Sequence, residues 1–219
     1  MIIAIDGPAG AGKSTVAKIL ARKLGFLYID TGAMYRALTL KVLENNVPIN
    51  DAPGIIQLAQ GVNIDLRNNS DGSLTVFLDG EDVSLAIRQT RITRFVSDVA
   101  KIKDVRGVLV KMQREFGQKG NCVLDGRDIG TVVFPEAEKK FFIDASAQVR
   151  VMRRFKELEG LGQSVIENDV AIDLANRDKI DTTREISPLR LAPDAVYIDT
   201  TALSIDQVVD KMFNLCKNG

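Results

Sequence analysis

The fold of this chain is decided by Gly7-Pro8-Ala9-Gly10-Ala11-Gly12-Lys13-Ser14, which fits the phosphate-loop pattern G-x-x-x-x-G-K-[ST] without a mismatch. The glycines let the backbone curl with its N–H groups directed at anionic oxygens. Lys13 adds a mobile cation that can follow a transferred phosphoryl group, and Ser14 supplies a hydroxyl of the kind that ligates Mg²⁺. The pattern predicts a nucleotide-phosphate site.

Both flanks of the loop have the character that such a site requires. The run Met1 to Ile5 is apolar and ends in Asp6, as a buried parallel strand does. From Lys13 to Leu24 apolar residues recur at helical spacing, and Gly25 is suited to ending the helix. Strand, loop and helix together aim the positive end of the helix dipole at a phosphate. A glycine-rich turn without a ligand is the less favoured alternative.

The composition excludes several classes of site. The 219 residues contain 29 Lys plus Arg and 29 Asp plus Glu, so no overall field attracts a nucleic acid or an anionic membrane. The absence of histidine excludes Ser-His-Asp and Cys-His catalysis and histidine-bearing zinc sites. Cys122 and Cys216 are isolated, which favours a reducing cytosol over a disulfide framework.

The hydropathy pattern indicates where the protein works. No apolar segment approaches the ~20 residues of a membrane span, and the apolar N-terminal run is too short for a signal-peptide core. We therefore expect a cytoplasmic protein that binds small molecules rather than nucleic acid or membrane. We also expect it to be a monomer.

Five apolar runs, each followed by an aspartate, alternate with segments of helical spacing. The runs are Met1 to Ile5, Phe26 to Ile29, Asn121 to Leu124, Phe141 to Ile143 and Ala195 to Ile198. Such alternation predicts one five-stranded parallel sheet between two layers of helices, the three-layer α/β/α architecture of P-loop proteins.

The hydrophobic period changes between the second and third of these runs. Apolar and polar residues alternate from Val62 to Leu78, Asn68 to Gly72 is turn-forming, and Asp79-Gly80 is a hairpin signal. This predicts an antiparallel meander of two or three strands in an inserted lobe over about residues 61–91. A hairpin without a function is the alternative that the local sequence leaves open.

Helical spacing returns from Ile92 to Met112. The apolar residues of this segment form a stripe on one face, and Ser97 and Arg106 lie nearer the opposite face. Residues of these types are most often exposed. We expect a helical segment with both side chains on its polar face.

Two predicted helices rich in arginine follow the fourth strand. The first spans Ala147 to Glu159, and a capping-box pattern at Ser164 to Glu167 opens the second. The arginines predicted to face outward on the first helix are Arg150, Arg153 and Arg154. Because a glycine hinge joins the two helices, we expect them to form a mobile lid over about residues 147–189. The alternative is that their arginines form a solvated charged face. The core then comprises residues 1–60, 92–146 and 190–219.

A carboxylate and several arginines follow the predicted strands, at the sheet edge where ligands of such folds gather. Asp125 ends a buried strand downstream of the phosphate loop, and a carboxylate in that place can lie near Mg²⁺. The alternative is that Asp125 is a structural turn residue. Arg36, Arg127 and Arg184 lie on separate segments and suggest a second phosphate site. A second phosphate means a phosphorylated acceptor, which favours a nucleoside monophosphate kinase over a sugar or shikimate kinase. Phosphoryl transfer suits this set because it depends on positioning and charge more than on a general base.

Local sequence leaves other roles open for some of these residues. Thr31 can cap the helix after the second strand, which places Tyr35 and Arg36 about one turn further on, although Arg36 is also explained as a surface charge. Arg127 and Asp128 lie on a glycine-flanked loop, where the two can pair with each other.

Several longer motifs make the chain similar to the bacterial cytidylate kinases, a family of P-loop nucleoside monophosphate kinases, over essentially its whole length. The motifs are Gly7 to Thr15, Asp30-Thr31-Gly32-Ala33-Met34-Tyr35-Arg36, Gly80-Glu81-Asp82-Val83, Asp125-Gly126-Arg127-Asp128-Ile129-Gly130-Thr131-Val132-Val133-Phe134-Pro135, and Arg177-Asp178 with Asp181 and Arg184. The resemblance implies transfer of the γ-phosphoryl group of ATP to CMP or dCMP, giving ADP and CDP or dCDP in pyrimidine nucleotide metabolism, with Mg²⁺. It also implies that the meander belongs to the NMP-binding lobe.

The resemblance implies a role for each matching residue. ATP is expected to bind Gly7, Pro8, Ala9, Gly10, Ala11, Gly12, Lys13, Ser14 and Thr15. The acceptor is expected to bind Thr31, Arg36, Arg127 and Arg184 through its phosphate, Ser97, Arg106 and Asp128 through its base, Arg177 and Asp181 through its sugar, and Tyr35. The residues expected to be catalytic are Lys13, Arg127 and Arg184, and those expected to ligate Mg²⁺ are Ser14 and Asp125.

Two other functions fit part of the sequence. Another P-loop kinase, acting on UMP or on a non-nucleotide acceptor, shares the phosphate loop. A GTPase-type switch is suggested by Asp51-Ala52-Pro53-Gly54, which satisfies D-x-x-G, but a guanine-reading N-K-x-D motif is absent from the sequence.

Overall fold

The computed structural model describes residues 1–217 in two compact units. The first unit comprises Met1–Tyr28 and the chain from Gly120 onward, and the second comprises Ile29–Lys119. In chain order the elements are β1 Ile2–Asp6, α1 Lys13–Leu24, β2 Leu27–Asp30, α2 Thr31–Glu44, α3 Ala52–Gln60, β3 Ile64–Asn68, β4 Leu74–Leu78, β5 Glu81–Asp82, α4 Thr90–Ala100, α5 Lys103–Gly117, β6 Cys122–Gly126, β7 Lys139–Asp144, α6 Ala147–Gly160, α7 Glu167–Thr183, β8 Val196–Asp199 and α8 Ile205–Lys217. A short 3₁₀ helix spans Ala86–Arg88, and a π-helical turn spans Ile129–Val133.

The main sheet has five strands in the order β2-β6-β1-β7-β8. The central strand β1 runs parallel to β6 and β7, so that Ile5 lies opposite Asp125 on one side and Phe141 on the other. β8 is parallel to β7, with Asp144 opposite Asp199. The terminal aspartates therefore line one edge of the sheet, and the predicted α/β fold with a five-stranded parallel sheet is confirmed.

The central strands of the first unit are buried because both faces of the sheet are covered. Ile3 and Ile5 of β1 and Leu124 of β6 are completely buried. α1 packs on β6 and on α8, and its residues Val16 and Leu20 are buried as their spacing predicts. The positive φ of Gly25 ends α1 at the predicted place.

The second unit contains the three-stranded sheet, four α-helices and the short 3₁₀ helix within its described residues. Strands β3, β4 and β5 are antiparallel, so the predicted meander is confirmed as three strands. α2 contacts α3, α4 and β4, and its residues Met34 and Leu38 are completely buried. The meander thus packs on a helix and does not stand as an isolated hairpin.

Two of the predicted helix starts were wrong. Thr31 does not cap α2: the cap is Asp30, whose carboxylate accepts a hydrogen bond from Ala33 N at 2.7 Å, and Thr31 is the first helical residue. The capping box at Ser164 is also wrong, because α7 begins at Glu167 and its N-cap position is Ile166. An S-x-x-E pattern indicates a cap only if the serine itself stands at the boundary.

Ser204 and Gln207 form a capping box at the start of α8. Ser204 N donates to Gln207 Oε1 at 2.9 Å, and Gln207 N donates to Ser204 Oγ at 3.2 Å. Among the apolar residues of this helix, Val208, Val209, Met212 and Cys216 are buried, whereas Ile205 is exposed at the first turn.

The helical segment predicted from Ile92 to Met112 consists of two helices. α4 ends at Ala100 and α5 begins at Lys103, and the apolar stripe continues across the break. The expectation that Ser97 and Arg106 lie on a polar face was wrong, since both are buried. Hydrophobic spacing alone does not reveal a two-residue interruption, because the residues on either side keep the same period.

Among residues 1–217, no helix combines the length and the apolar character needed to cross a bilayer.

Gly7 permits a close approach between the phosphate loop and β7. Its φ is +148°, and a Cβ added there would lie 1.9 Å from the carbonyl oxygen of Ile143. We expect Gly7→Ala to lower the free energy of unfolding by about 2–4 kcal/mol, because the two backbones must separate. Denaturant unfolding followed by circular dichroism measures this loss.

The matched control for this substitution is Gly160→Ala. A Cβ at Gly160 meets nothing within 4 Å, so the control is expected to change the free energy of unfolding by less than about 1 kcal/mol. Equal stabilities of the two variants would contradict the close approach at Gly7.

Candidate functional site

The phosphate loop lies between β1 and α1 in the first unit. Gly7, Gly10 and Gly12 have positive φ, and Gly12 occupies the N-cap of α1 in a left-handed conformation. Lys13 is buried, and its Nζ donates to the carbonyl of Pro8 at 2.6 Å. The structure therefore forms the predicted strand, loop and helix, with the lysine held against its own loop.

Two arginines of α6 hold further carbonyl groups of this loop. Arg150 Nη1 donates to Ala9 O at 3.1 Å, and Arg153 Nη1 donates to Ala11 O at 3.4 Å. Arg153 also donates to the hydroxyl of Thr200 at 3.0 Å. The expectation that these arginines face outward was wrong, because both lie against the phosphate loop. The physical reason is that loop carbonyls turned away from a phosphate site need donors.

Asp125 lies at the end of β6 beside the start of α1. Ser14 Oγ donates to Asp125 Oδ2 at 2.7 Å, and the hydroxyl of Tyr28 donates to Asp125 Oδ1 at 2.8 Å. A hydroxyl and a carboxylate side by side are hard oxygen donors of the type that Mg²⁺ accepts together with phosphate oxygens. Residues 1–217 contain no cluster of three or more His, Cys, Asp or Glu that could hold a metal by themselves. The two side chains thus fit a metal that is shared with a bound nucleotide.

The role of Tyr28 was missed from the sequence. It lies on β2, and the sheet order places β2 next to β6, so its hydroxyl reaches Asp125. The sequence feature that could have indicated this role is the position of Tyr28 near the end of an apolar strand, beside a strand that ends in a carboxylate.

A buried cluster of opposite charges surrounds Asp181 near the C-terminus of α7. Arg127 Nε donates to Asp181 Oδ2 at 2.8 Å, and Arg184 Nη1 lies 3.7 Å from Asp181 Oδ1. Arg184 Nη2 lies 3.7 Å from Asp128 Oδ1, and Arg184 Nε donates to Ser187 O at 2.7 Å. Arg127 thus forms an ion pair with Asp181. Local sequence had suggested a pair between Arg127 and Asp128 instead.

The charges in this cluster shift one another's pKa values. Burial by itself would raise the pKa of Asp181, but Arg127 and Arg184 outweigh burial and hold it below its usual value. Burial, followed by the charge of Arg127, lowers the pKa of Lys13, while Asp125 opposes that shift. Arg177 also lowers the pKa of both Lys13 and Asp181, which places it in the same electrostatic group. The first unit therefore brings the predicted residues Lys13, Asp125, Arg127, Asp128, Arg177, Asp181 and Arg184 into one charged site.

Asp6 connects the central strand to the turn that follows Asp128. Its two carboxylate oxygens accept hydrogen bonds from Ile129 N and Gly130 N, each at 2.8 Å. Burial raises the pKa of Asp6 to about 6, although both backbone N–H groups oppose the shift. Sequence reading recognised Asp6 only as the end of a strand, because its partners lie more than a hundred residues away.

The remaining predicted residues lie in the second unit. Arg36 Nη2 donates to Asp30 Oδ2 at 3.0 Å, so Arg36 is not a free surface charge. The guanidinium of Arg106 lies over the ring of Tyr35 at 5.3 Å, and its Nη1 donates to Ala100 O at 3.1 Å. Thr31 and Ser97 are buried. Tyr35 and Arg106 are in contact in this unit.

The D-x-x-G string has a local structural role. Asp51 is the N-cap of α3, and its carboxylate accepts a hydrogen bond from Gly54 N at 3.2 Å. The match to a GTPase motif is thus explained by helix capping.

Comparisons with known proteins identify close relatives. The sequence profile of the family described as cytidylate kinase matches residues 3–218. The chain is 50% identical over 213 residues to a cytidylate kinase of Caldicellulosiruptor bescii, covering 97% of this chain and 94% of the relative. It is also 50% identical over 215 residues to a cytidylate kinase of Carboxydothermus hydrogenoformans, covering 98% and 96%. A crystal structure of a gluconokinase from Sinorhizobium meliloti matches with a TM-score of 0.51 at 13% identity, covering 99% of this chain and 93% of that one, which reflects a shared fold.

Asp6 predicts a pH dependence of stability with a defined sign. Its pKa is about 6 in the folded chain against 3.8 as the ordinary value, so the folded state holds the extra proton between these values. The contribution of Asp6 to stability therefore decreases as the pH rises through this window, by about 3 kcal/mol in total. Relative to Asp6→Asn, the wild type is expected to lose this amount between about pH 4 and pH 7.

Urea unfolding of both proteins across this pH range measures the difference. The titration of other carboxylates cancels in the comparison. A difference that stays constant with pH would contradict the raised pKa of Asp6.

Proposed function

The chain belongs to the cytidylate kinase family, and on this premise we propose that it transfers the γ-phosphoryl group of ATP to CMP or dCMP, giving ADP and CDP or dCDP. The observation that carries the proposal is the family match over residues 3–218. The arrangement of the phosphate loop supports it, because Lys13, Ser14 and Asp125 are held beside one another as phosphoryl transfer from a nucleotide requires.

ATP is assigned to Gly7, Pro8, Ala9, Gly10, Ala11, Gly12, Lys13, Ser14 and Thr15. Backbone N–H groups of the loop would bind the phosphates together with the positive end of α1; Pro8 has no N–H to donate, and the N–H of Ala9 donates to Asp178. The pKa of Lys13 is lowered by burial and by nearby arginines, so an adjacent phosphate would favour its charged form. Lys13 is thus suited to follow the phosphoryl group as negative charge moves during transfer.

Mg²⁺ is assigned to Ser14 and Asp125, whose oxygens are already in contact. When bound, the metal would neutralise the negative charge that develops on the transferred group. Tyr28 orients the carboxylate of Asp125 by donating a hydrogen bond to its other oxygen. This geometry favours a metal-positioning role for Asp125 over that of a simple turn residue.

The phosphate of the acceptor is assigned to Arg36, Arg127 and Arg184, together with Thr31. In the first unit, Arg127 and Arg184 are held by Asp181, so their guanidinium planes are fixed before a ligand binds. In the second unit, Arg36 is held by Asp30, and Thr31 follows directly in α2. Fixed guanidinium groups stabilise the charge on a transferred phosphoryl group without a reorganisation cost, which suits Arg127 and Arg184 to catalysis together with Lys13.

The base and the sugar of the acceptor are assigned to the remaining residues. Cytosine offers an amino donor beside ring acceptors, so Asp128 would accept from the amino group while Arg106 donates. Ser97 is assigned to the base, Tyr35 supports Arg106 by ring contact, and Arg177 and Asp181 are assigned to the sugar. Uracil carries a carbonyl where cytosine carries the amino group and would leave Asp128 without its donor.

The organisation of the chain follows from this assignment. Residues 1–60, 92–146 and 190–219 would form the core, about 61–91 the NMP-binding lobe, and about 147–189 the lid. We also propose that the enzyme is monomeric and cytoplasmic and that it binds small nucleotides. The equal numbers of acidic and basic residues leave no overall field that would attract a nucleic acid.

A panel of acceptors tests the proposed reaction. With ATP and Mg²⁺, we expect ADP formation mainly with CMP and dCMP, and little with UMP, AMP, GMP or no acceptor. In Asp128→Ala, kcat/KM for CMP is expected to fall about 10- to 100-fold, because the amino group loses its acceptor, while KM for ATP changes less than about twofold.

The control for this panel is Glu136→Ala, which removes an exposed carboxylate from the segment just after the turn. It is expected to behave as the wild type. Turnover without an acceptor, or only with a non-cytidine acceptor, would remove the cytidylate assignment, and slow GTP hydrolysis without an acceptor would favour a GTPase.

The metal assignment is tested by Asp125→Asn. Substitution by the neutral amide keeps the shape but weakens metal affinity, so the Mg²⁺ concentration for half-maximal activity is expected to rise about 10- to 100-fold. Tyr28→Phe, which removes only the orienting hydroxyl, is expected to cause a smaller rise. An unchanged Mg²⁺ dependence in Asp125→Asn would contradict the assignment.

A further inference from the structure

Three carbonyl oxygens of the phosphate loop are held by cationic side chains. Pro8 O accepts from Lys13, Ala9 O from Arg150 and Ala11 O from Arg153. The described chain contains no cis peptide bond, and in a trans peptide unit the C=O and the following N–H point in opposite directions. Each held carbonyl therefore sets the direction of the next N–H group in the loop.

Asp178 of α7 holds the opposite side of the Ala9 backbone. Its Oδ1 accepts a hydrogen bond from Ala9 N at 3.4 Å, and its Oδ2 accepts one from Arg150 Nη1. Because Pro8 C=O and Ala9 N–H belong to one peptide unit, the carboxylate that binds the N–H turns the Pro8 carbonyl to the other side, where Lys13 lies. Asp178 thus acts on Lys13 through one peptide unit.

Arg150 controls the next peptide unit along the loop. Its hydrogen bond to Ala9 O, at 3.1 Å, directs the N–H of Gly10 away from α6. Its Nε also donates to Ala145 O at 3.1 Å, which fixes the guanidinium group at a second point. Arg150 and Asp178 together therefore hold the two peptide units that flank Ala9.

The surroundings of this ion pair are packed and largely dry. The side chains of Arg150 and Asp178 are 13% and 22% exposed. Ala9 belongs to a buried apolar cluster with Leu158 of α6 and with Val170 and Leu174 of α7. A Cβ added to Gly10 would lie 2.9 Å from Arg150 O, so α6 approaches the loop closely. An ion pair in such a setting fixes geometry better than an exposed one.

We propose that Asp178 and Arg150 are positioning residues of the phosphate loop. From α7 and α6 they fix the two peptide units that flank Ala9, and so preset the directions of the Lys13 ammonium and the Gly10 N–H for binding the triphosphate of ATP. The proposal rests on the proposed function, since it takes ATP as the ligand. Neither side chain needs to touch the nucleotide, because both act through the backbone.

Substitution of either residue distinguishes an effect of positioning on ATP affinity from an effect of charge alone. Asp178→Asn removes a negative charge, which by Coulomb's law alone favours a polyanion, whereas Arg150→Gln removes a positive charge and has the opposite effect. Positioning predicts that both variants lose affinity for ATP, each by about tenfold. It also predicts that the double variant is within about twofold of either single variant, because the two residues act as one unit.

The experiment is calorimetric titration of the full chain with ATP and Mg²⁺ in the absence of acceptor, and separately with CMP. CMP affinity is expected to change less than about twofold in every variant, which global destabilisation would not reproduce. Asp169→Asn and Lys156→Gln make the same charge changes at exposed positions of α7 and α6, and both are expected to bind ATP as the wild type does. Arg150→Lys keeps the charge without the two-pronged geometry and is expected to be intermediate.

Two results would overturn the proposal. One is unchanged or tighter ATP binding by Asp178→Asn, and the other is a double variant whose loss is the product of the single losses. Wild-type protein that binds neither ATP nor CMP would instead remove the proposed function, so the two failures are distinguishable. Urea unfolding of each variant establishes that the titrated protein is folded; if Asp178→Asn does not fold, Arg150→Lys decides the question by the same titration.

Discussion

A loop that directs its N–H groups towards phosphate must turn its carbonyl groups the other way, and a buried carbonyl needs a donor. In this chain the donors are Lys13, Arg150 and Arg153, which hold the carbonyls of Pro8, Ala9 and Ala11. This requirement explains why arginines on α6 are drawn inward although their spacing is typical of an exposed face. It also explains why helices distant in sequence lie against the first loop of the chain.

The buried carboxylates Asp128 and Asp181 of the first unit lie beside arginines. Asp181 lies between Arg127 and Arg184, and Asp128 lies near Arg184. Buried ion pairs of this kind add little net stability, because desolvation offsets their attraction. Their value is in holding charged groups in fixed directions, which suits the proposed chemistry of a transferred phosphoryl group.

The aspartates at the ends of the parallel strands have different hydrogen-bond partners. Asp6 binds two backbone N–H groups beyond Asp128, Asp30 caps α2 and pairs with Arg36, and Asp125 binds the hydroxyls of Ser14 and Tyr28. One sequence pattern, an apolar run followed by aspartate, therefore serves turn formation, helix capping and the proposed metal site. The neighbouring strand or loop decides among these roles.

The sequence by itself determined the phosphate loop, the five parallel strands, the antiparallel meander and most helices, because these depend on local spacing and on glycine conformation. Its motifs and the family resemblance also indicated the residues that are proposed here for the site. Only the tertiary structure decided the interruption between α4 and α5, the burial of Ser97 and Arg106, and the partners of Asp6, Tyr28 and Asp178. Those features depend on contacts between residues far apart in the chain, and local periodicity carries no information about which distant group will satisfy a buried donor or acceptor.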